Sequence, residues 1–426
     1  MMPPSRPLRI LLVPALTEAS GSSLLAARLA RRLDPARFAC RMVLPAPGDF
    51  AEKLRAEGLR VDTLGLRTTC WSEARGAREK LRWLVSRFAY GRDLDRLMGR
   101  YRPDVVYVHS AIQPLSALVA RRRGLPVLWH VHEIFESGHP GAAWRKACVR
   151  RLASTVIFCA RAARRSFGPI PRGRRWVVVP NGISLENVPT RRCPIRGEIR
   201  RELNIRDDEF VMITVGRAQS AKGLDLLAEA LGRCRALREG GTPFRLLVAG
   251  DTGGRDNVFL HRVVELFGRA GLRADGVLAA SPLVEPARFS GQARGGGCVT
   301  FLGHREDVPR CLAAADVFLL PSRAEAFPLS LLEAFAAELA VVATDVGDCR
   351  LLVNEPRRGL CVPRENPDAL AGAIERLYQN PALRESMGLR ARRFVETRFS
   401  EPIFLDRISR VLERTAGRLP GGEEDR

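Results

Sequence analysis

The sequence predicts an α/β protein made of two doubly wound domains, each a parallel sheet with helices on both faces. Three observations lead there. Short β-branched or apolar runs alternate with longer helical patterns along the chain, as stacked strand–helix–strand units require. The 426 residues exceed what one core usually holds, since single cores stop growing near about 250–300 residues. A stretch rich in Pro and charge, Pro180 to Ile205, interrupts the alternation near the middle and reads as a hinge.

The first series of strands is expected at LRILLVP (from Leu8), ACRMVLP (from Ala39), DVVYVHS (from Asp104), PVLWHVH (from Pro126), STVIFCA (from Ser154) and RWVVVPNG (from Arg175). Helical segments such as SLLAARLARRLD separate them, with apolar residues at helical spacing. The second series runs through EFVMITVGR (from Glu209), RLLVAGD (from Arg245), CVTFLGH (from Cys298), DVFLLPS (from Asp316), AVVATD (from Ala340) and RGLCVP (from Arg358). Three helical segments without strands follow Pro367, and the last is long enough to cross back onto the first domain. The expected domains are therefore residues 1–180 and 181–397, with a returning helix at 398–416. Two such domains joined by a hinge imply a ligand in a cleft at the carboxyl ends of their strands. Residues 275 to 298 form a connection longer than such loops usually are.

Composition narrows the class. The net charge is +22, and 65 of the 69 basic residues are arginine. That charge favours an anionic partner, whether phosphorylated substrate, acidic membrane surface or nucleic acid. No recognised nucleic-acid module accompanies it, so nucleic acid is not expected. The ten cysteines show no CxxC pair and no cluster with histidine, which argues for reduced thiols in a cytoplasm. No secretory leader precedes Ile10, and the longest apolar stretch, near 311–344, is broken by Asp316, Arg323, Glu325, Glu333 and Glu338.

Candidate chemistry clusters at strand ends. In RAEAFPLSLLEAF, from Arg323, the residue before Pro328 is pushed toward extended backbone, so a helix should begin at Pro328. Glu325 then lies in the loop and Glu333 inside the helix. The first-turn N–H groups of Leu329, Ser330 and Leu331 are left without helical partners at the positive end of the dipole, where phosphate binds. Two exposed glutamates would ordinarily be solvated or paired. The apolar setting of Glu333 in LLEAFAA makes an unpaired charge costly there, which favours polar groups of a ligand.

A second candidate is VGRAQSAKGLD, from Val215, where Arg217 and Lys222 flank a small-residue loop at a strand's carboxyl end. A planar fork of donors and a compact charge suit a diphosphate, although a surface loop carries such residues equally well. A third is TEASGSS, from Thr17, where Gly21 would let backbone approach a ligand. Strand alternation puts His130 and His132 on one face, with His132 nearer the carboxyl edge. We read His132, next to Glu133, as functional and His109 as structural. No third ligand is expected beside the His130–His132 pair, so no metal is expected there.

Taken together, VGR…KGLD at 215–225, VTFLGH at 299, DVFLLPSRAEAFPLSLLEAFA at 316 and VVPNGIS at 178 resemble the retaining glycosyltransferases of family four, which have the GT-B fold of two facing Rossmann-like domains. The spacing from Glu325 to Glu333 matches that family's paired-glutamate motif. The resemblance implies sugar transfer from a nucleotide diphosphate donor with retention, with neither metal nor cofactor. It assigns the first domain to the acceptor and the second to the nucleotide sugar. Arg217 and Lys222 would hold the diphosphate, Glu333 the ribose and Glu325 the transferred sugar, with His132 at the donor–acceptor junction. The base would lie near His304 and Arg305. VGDCRLL, from Val346, departs from the family pattern in lacking a second glycine and a downstream glutamate.

The acceptor implied is a glycan or a lipid-linked molecule, in cell-surface polysaccharide or glycolipid synthesis. Two basic and aromatic segments, from Arg78 and from Trp144, would suit an anionic membrane surface on the cytoplasmic side, or equally an exposed arginine-rich helix. The DLD at Asp93 to Asp95 belongs to a helical segment rather than a metal site. Rival readings are a sugar-nucleotide epimerase or phosphorylase on the same plan, and a non-catalytic binding module.

Overall fold

A computed structural model describes residues 6–14, 21–66, 76–112, 114–135, 141–186, 188–253, 257–276, 297–354 and 357–420, with the side chains of 76–84 and 354 not described. Residues 17–20 of the TEASGSS loop, most of the long connection at 275–298 and the ends of the chain lie outside the described residues.

The chain forms two compact units, one reaching to Pro180 and resuming at Pro402, the other Asn181–Glu401. In the first unit the elements in order are β1 (Leu8–Val13), α1 (Gly21–Arg32), β2 (Phe38–Leu44), α2 (Asp49–Ala56), β3 (Val61–Thr63), α3 (Gly76–Tyr101), β4 (Val105–His109), α4 (Pro114–Arg122), β5 (Val127–Val131), α5 (Ala142–Leu152), β6 (Thr155–Phe158), α6 (Arg161–Phe167) and β7 (Arg175–Val178). The second unit continues with α7 (Arg196–Glu202), β8 (Phe210–Val215), α8 (Leu224–Arg233), α9 (Arg235–Glu239), β9 (Phe244–Ala249), α10 (Val258–Arg269), β10 (Arg273–Gly276), β11 (Gly297–Gly303), α11 (Val308–Ala314), β12 (Val317–Leu320), α12 (Leu329–Ala336), β13 (Ala340–Thr344), α13 (Cys349–Asn354), β14 (Gly359–Val362), α14 (Pro367–Gln379) and α15 (Pro381–Arg398). The last helix, α16 (Glu401–Thr415), belongs almost wholly to the first unit.

Both sheets have seven strands, all paired parallel, in the orders β3-β2-β1-β4-β5-β6-β7 and β10-β11-β9-β8-β12-β13-β14. Helices cover both faces of such sheets, so central strands read as continuous apolar runs, and β4, β5, β12 and β13 are buried along their length. The strand order reverses beside β1 in one sheet and beside β8 in the other. At such switch points the flanking loops diverge and leave a crevice at the carboxyl ends of the strands.

Two short strands were not expected from the sequence. β3 is a three-residue, half-buried edge strand, and Arg41 on the neighbouring strand grips its Asp62. β10, with sequence RADG, has no apolar run to announce it. The stretch expected as a hinge is largely anchored in the second unit. Arg191 N–H donates to Ala337 O at 3.0 Å, Arg196 donates to Ala315 O at 2.8 Å and pairs with Asp316 at 3.0 Å, and Ile199 is buried. Pro and charge mark irregular backbone there rather than freedom.

α16 completes the first core: Phe404, Ile408, Val411 and Leu412 are buried among Leu8, Leu29, Phe38 and Val179. No helix among the described residues is long and apolar enough to cross a membrane, and the described cysteines are free thiols.

Candidate functional site

In the second unit the switch point brings Lys222 and Glu325 together. Gly216 follows the last residue of β8, and the chain then makes a single 3-10 turn, Ser220–Lys222, before Gly223 opens α8. Gly223 sits at φ 67°, and a Cβ there would lie 2.0 Å from Pro321 O. Only glycine lets this loop pass so close to the end of β12. That approach delivers the Lys222 ammonium to the Glu325 carboxylate, with Nζ 2.5 Å from Oε1. Ser322, 1% exposed, donates its hydroxyl to the same oxygen at 3.2 Å.

The loop carrying Glu325 is braced on three sides. Thr344 Oγ1 donates to Ser322 O at 2.5 Å. Gly347, at φ 56°, packs its backbone so tightly that a Cβ would meet Glu325 O at 2.0 Å. Arg323 spans the two loops, donating to Ser220 O at 2.8 Å, to both Asp225 oxygens at 2.7 and 3.0 Å and to Glu365 at 2.6 Å. Its guanidinium is held above its ordinary pKa by the Asp225 hydrogen bonds. A bidentate, part-buried arginine of this kind fixes geometry as well as charge.

Arg217 follows Gly216 directly, half exposed, with Nε 3.5 Å from Asp251. Leu329 and Ser330 open α12, which begins one residue later than expected. Pro328 keeps an extended ψ of 113° and stands just outside the helix without a side-chain cap, so the first-turn N–H groups have no capping acceptor from it. Glu333 is half-buried within α12. Beyond β11, His304 is exposed, while Arg305 is engaged by Asp307 at 2.7 and 2.6 Å. Ser322, Thr344, Arg323 and Asp225 were not anticipated. Asp225 stood in the KGLD motif, but nothing local shows that an arginine 98 residues on would take it.

In the first unit Gly21 is exposed as the first described residue of α1. β4 and β5 pair in a register that sets His109 opposite His130, with His132 just beyond. The expectation that no third ligand lies beside the His130–His132 pair is corrected here. One ring nitrogen from each of His109, His130 and His132 lies within 4.8 Å of the others. Burial lowers the pKa of all three, that of His132 to about 4, so the rings are neutral at pH 7. Glu133 braces the same strand ends: its carboxylate accepts from the Ser110 hydroxyl, from Ala111 N–H at 3.0 Å and from His132 N–H at 3.1 Å. Ser110 holds φ 71°, and its carbonyl accepts from Trp129 Nε1 at 2.9 Å. Asp95 of the DLD segment lies in α3 and is gripped by Arg123 at 2.5 and 2.7 Å.

Residues 19–187 match the family described as Glycosyltransferase Family 4, and residues 209–380 match that described as Glycosyl transferases group 1. The chain is a family-four glycosyltransferase. It is 31% identical over 248 residues to D-inositol 3-phosphate glycosyltransferase of Geodermatophilus obscurus, covering 57% of this chain and 48% of that protein. It is 27% identical over 260 residues to the amylovoran biosynthesis glycosyltransferase AmsK of Erwinia amylovora, covering 58% and 56%. The glycosyltransferase thus spans about half the length of these curated relatives in the matched stretches. Among solved structures, Anabaena HepE in complex with UDP-glucose superposes with a TM-score of 0.77 at 19% identity, over 96% of this chain and all of that one. That likeness carries the GT-B fold.

Proposed function

We propose that this glycosyltransferase moves a sugar from a nucleoside diphosphate donor to a glycan or lipid-linked acceptor, with retention at the anomeric carbon and without a catalytic metal. The observation that carries the reading is the Lys222–Glu325 contact at the switch point of the second sheet, in a chain of this family. HepE, solved with UDP-glucose, and AmsK, named for amylovoran biosynthesis, support a nucleotide-sugar donor and a role in cell-surface polysaccharide or glycolipid synthesis.

In the transfer, the bond from the anomeric carbon to the diphosphate oxygen breaks, an acceptor hydroxyl oxygen bonds that carbon on the same face, and the hydroxyl proton passes to the departing diphosphate oxygen. The departing diphosphate gains negative charge, which Lys222 and Arg217 receive, aided by the N–H groups of Leu329 and Ser330. Without donor, Lys222 is neutralised by Glu325. Donor phosphate competes for the ammonium and frees the carboxylate for the sugar hydroxyls. Glu333 binds the ribose, the base lies near His304 and Arg305, Gly21 also contacts the donor, and His132 is catalytic at the donor–acceptor junction.

The first unit also supplies a surface for an anionic membrane. On α3, Val85 and Phe88 are 60% and 78% exposed and continue into exposed Arg92, Arg96 and Arg100, while Trp144 on α5 is 58% exposed beside Arg145 and Lys146. Aromatic and basic groups on one surface suit peripheral attachment at the cytoplasmic face. Sedimentation with phosphatidylglycerol vesicles but not with phosphatidylcholine vesicles is the expected result.

The test of the activity is a screen of UDP-, GDP- and ADP-sugars by thermal shift, followed by product analysis with the donor that binds. A bound donor raises the melting temperature by mass action. An α-configured donor should give an α-linked product. No shift with any nucleotide sugar, or an inverted product, would sink the reading.

A further inference from the structure

His109, His130 and His132 cluster at the ends of β4 and β5, in the first unit. Their ring centroids lie 4.0 Å apart for His130 and His132, 5.6 Å for His109 and His130, and 5.7 Å for His109 and His132. Both nitrogens of His109, and Nε2 of His130 and of His132, are sealed from solvent with no hydrogen-bond partner among the described residues. A buried polar atom left unsatisfied costs about 1–3 kcal/mol, and here four such atoms sit in one cluster. That is an unusual concentration unless something binds them.

The chemistry of the set is narrow. All the ligand atoms offered are imidazole nitrogens. The carboxylate of Glu133, next to His132 in the chain, is taken by three donors from Ser110, Ala111 and His132. Among the described residues oxygen-seeking Mg²⁺ and Ca²⁺ would find no ligand in this set, whereas zinc is commonly held by three neutral histidines with a fourth position left open. The outer contact is also present. The Tyr107 hydroxyl lies 2.9 Å from His130 Nδ1, and a proton kept on that nitrogen leaves the Nε2 lone pair for a metal.

We propose that His109, His130 and His132 bind one zinc ion, with Tyr107 holding His130 in the ligating tautomer. Zn–N bonds of about 2.0–2.1 Å in a tetrahedral arrangement need nitrogens about 3.3 Å apart, so the rings must swivel inward from their present spacing. His132 lies past the last residue of β5, in no regular element, and supplies that freedom. Zinc at this site occupies Nε2 of His132. Given the role assigned to His132 above, bound zinc inhibits transfer, and chelation restores it.

The test uses the full chain without an affinity tag. Zinc is titrated against a chromophoric chelator, with Co²⁺ as optical probe and no donor present, so the outcome does not depend on the proposed activity. The expected result is one zinc per chain, with cobalt ligand-field bands and no sulfur-to-cobalt charge transfer. His132→Gln should lose the site. Tyr107→Phe, which removes one oxygen from a fully buried ring, should weaken binding by about 10- to 100-fold. Circular dichroism checks folding of both, and Tyr107→Phe carries the test if His132→Gln does not fold. Equal affinity in wild type and variants, a thiolate charge-transfer band, or no zinc retained by the folded chain would overturn the site. Zinc held there with transfer unaffected would overturn the inhibition alone.

Discussion

The two sheets place opposite kinds of chemistry at the carboxyl ends of their strands. At the end of β8 and β12 the polar groups are ions, Lys222 against Glu325 and Arg323 against Asp225 and Glu365, each charge facing its opposite. At the end of β4 and β5 they are neutral imidazoles with nitrogens sealed from solvent. The difference teaches how burial is tolerated. A charge near a sheet end survives when a partner neutralises it and part of it meets solvent, as with the 26% exposed Lys222 side chain. Where burial is complete, the group gives up its charge instead.

If ions at the second sheet do the chemical work, Glu325→Gln should have the largest effect. It keeps the shape of the side chain, loses the charge that grips the sugar, and should abolish transfer while nucleotide affinity, read by calorimetry, stays near wild type. Next comes Lys222→Ala, expected to lower kcat/KM by about 2–5 kcal/mol, as for a truncated charge contact. Arg217→Ala should fall below it, because that guanidinium is 53% exposed and water screens it. Near-equal losses for the two would mean that solvent is excluded around Arg217 when donor binds.

At the first sheet the comparison predicts stability effects without donor effects. Glu133→Ala strips the acceptor from Ser110, Ala111 and His132 and should destabilise the protein by about 1–3 kcal/mol in denaturant melts, leaving nucleotide affinity unchanged. A fall in nucleotide affinity would break the proposed separation of roles. The smallest change is expected for Thr344→Val, about 1 kcal/mol of stability for one buried hydrogen bond. A modest drop in kcat should accompany it, because Ser322 then loses its brace beneath Glu325.

Much of this was legible from local patterns. Pro328 announced the break before α12 and put Glu325 in a loop and Glu333 in a helix, because a proline constrains the residue before it wherever the chain goes next. What escaped notice depended on register or on long-range pairing. His109 looked solitary because the alignment of β4 against β5 is not written in either strand alone, and that alignment brings it to His130 and His132. The shared Val-His endings of DVVYVHS and PVLWHVH were the available signal. Lys222 and Glu325 were both marked for a ligand, yet nothing over 103 residues said that they would hold each other. β3 and β10 were silent because edge strands with one wet side need no apolar run.

The position of α16 has a consequence for synthesis. Leu8, Leu29 and Phe38 leave the ribosome hundreds of residues before Phe404, Ile408 and Leu412, the side chains that cover them. The half of the chain made first is therefore finished last, and must wait with an apolar flank uncovered. Nascent chains stalled short of residue 402 should be cut by protease within their first 180 residues, where the released protein resists. Equal resistance before and after release would mean that the early half closes without its final helix.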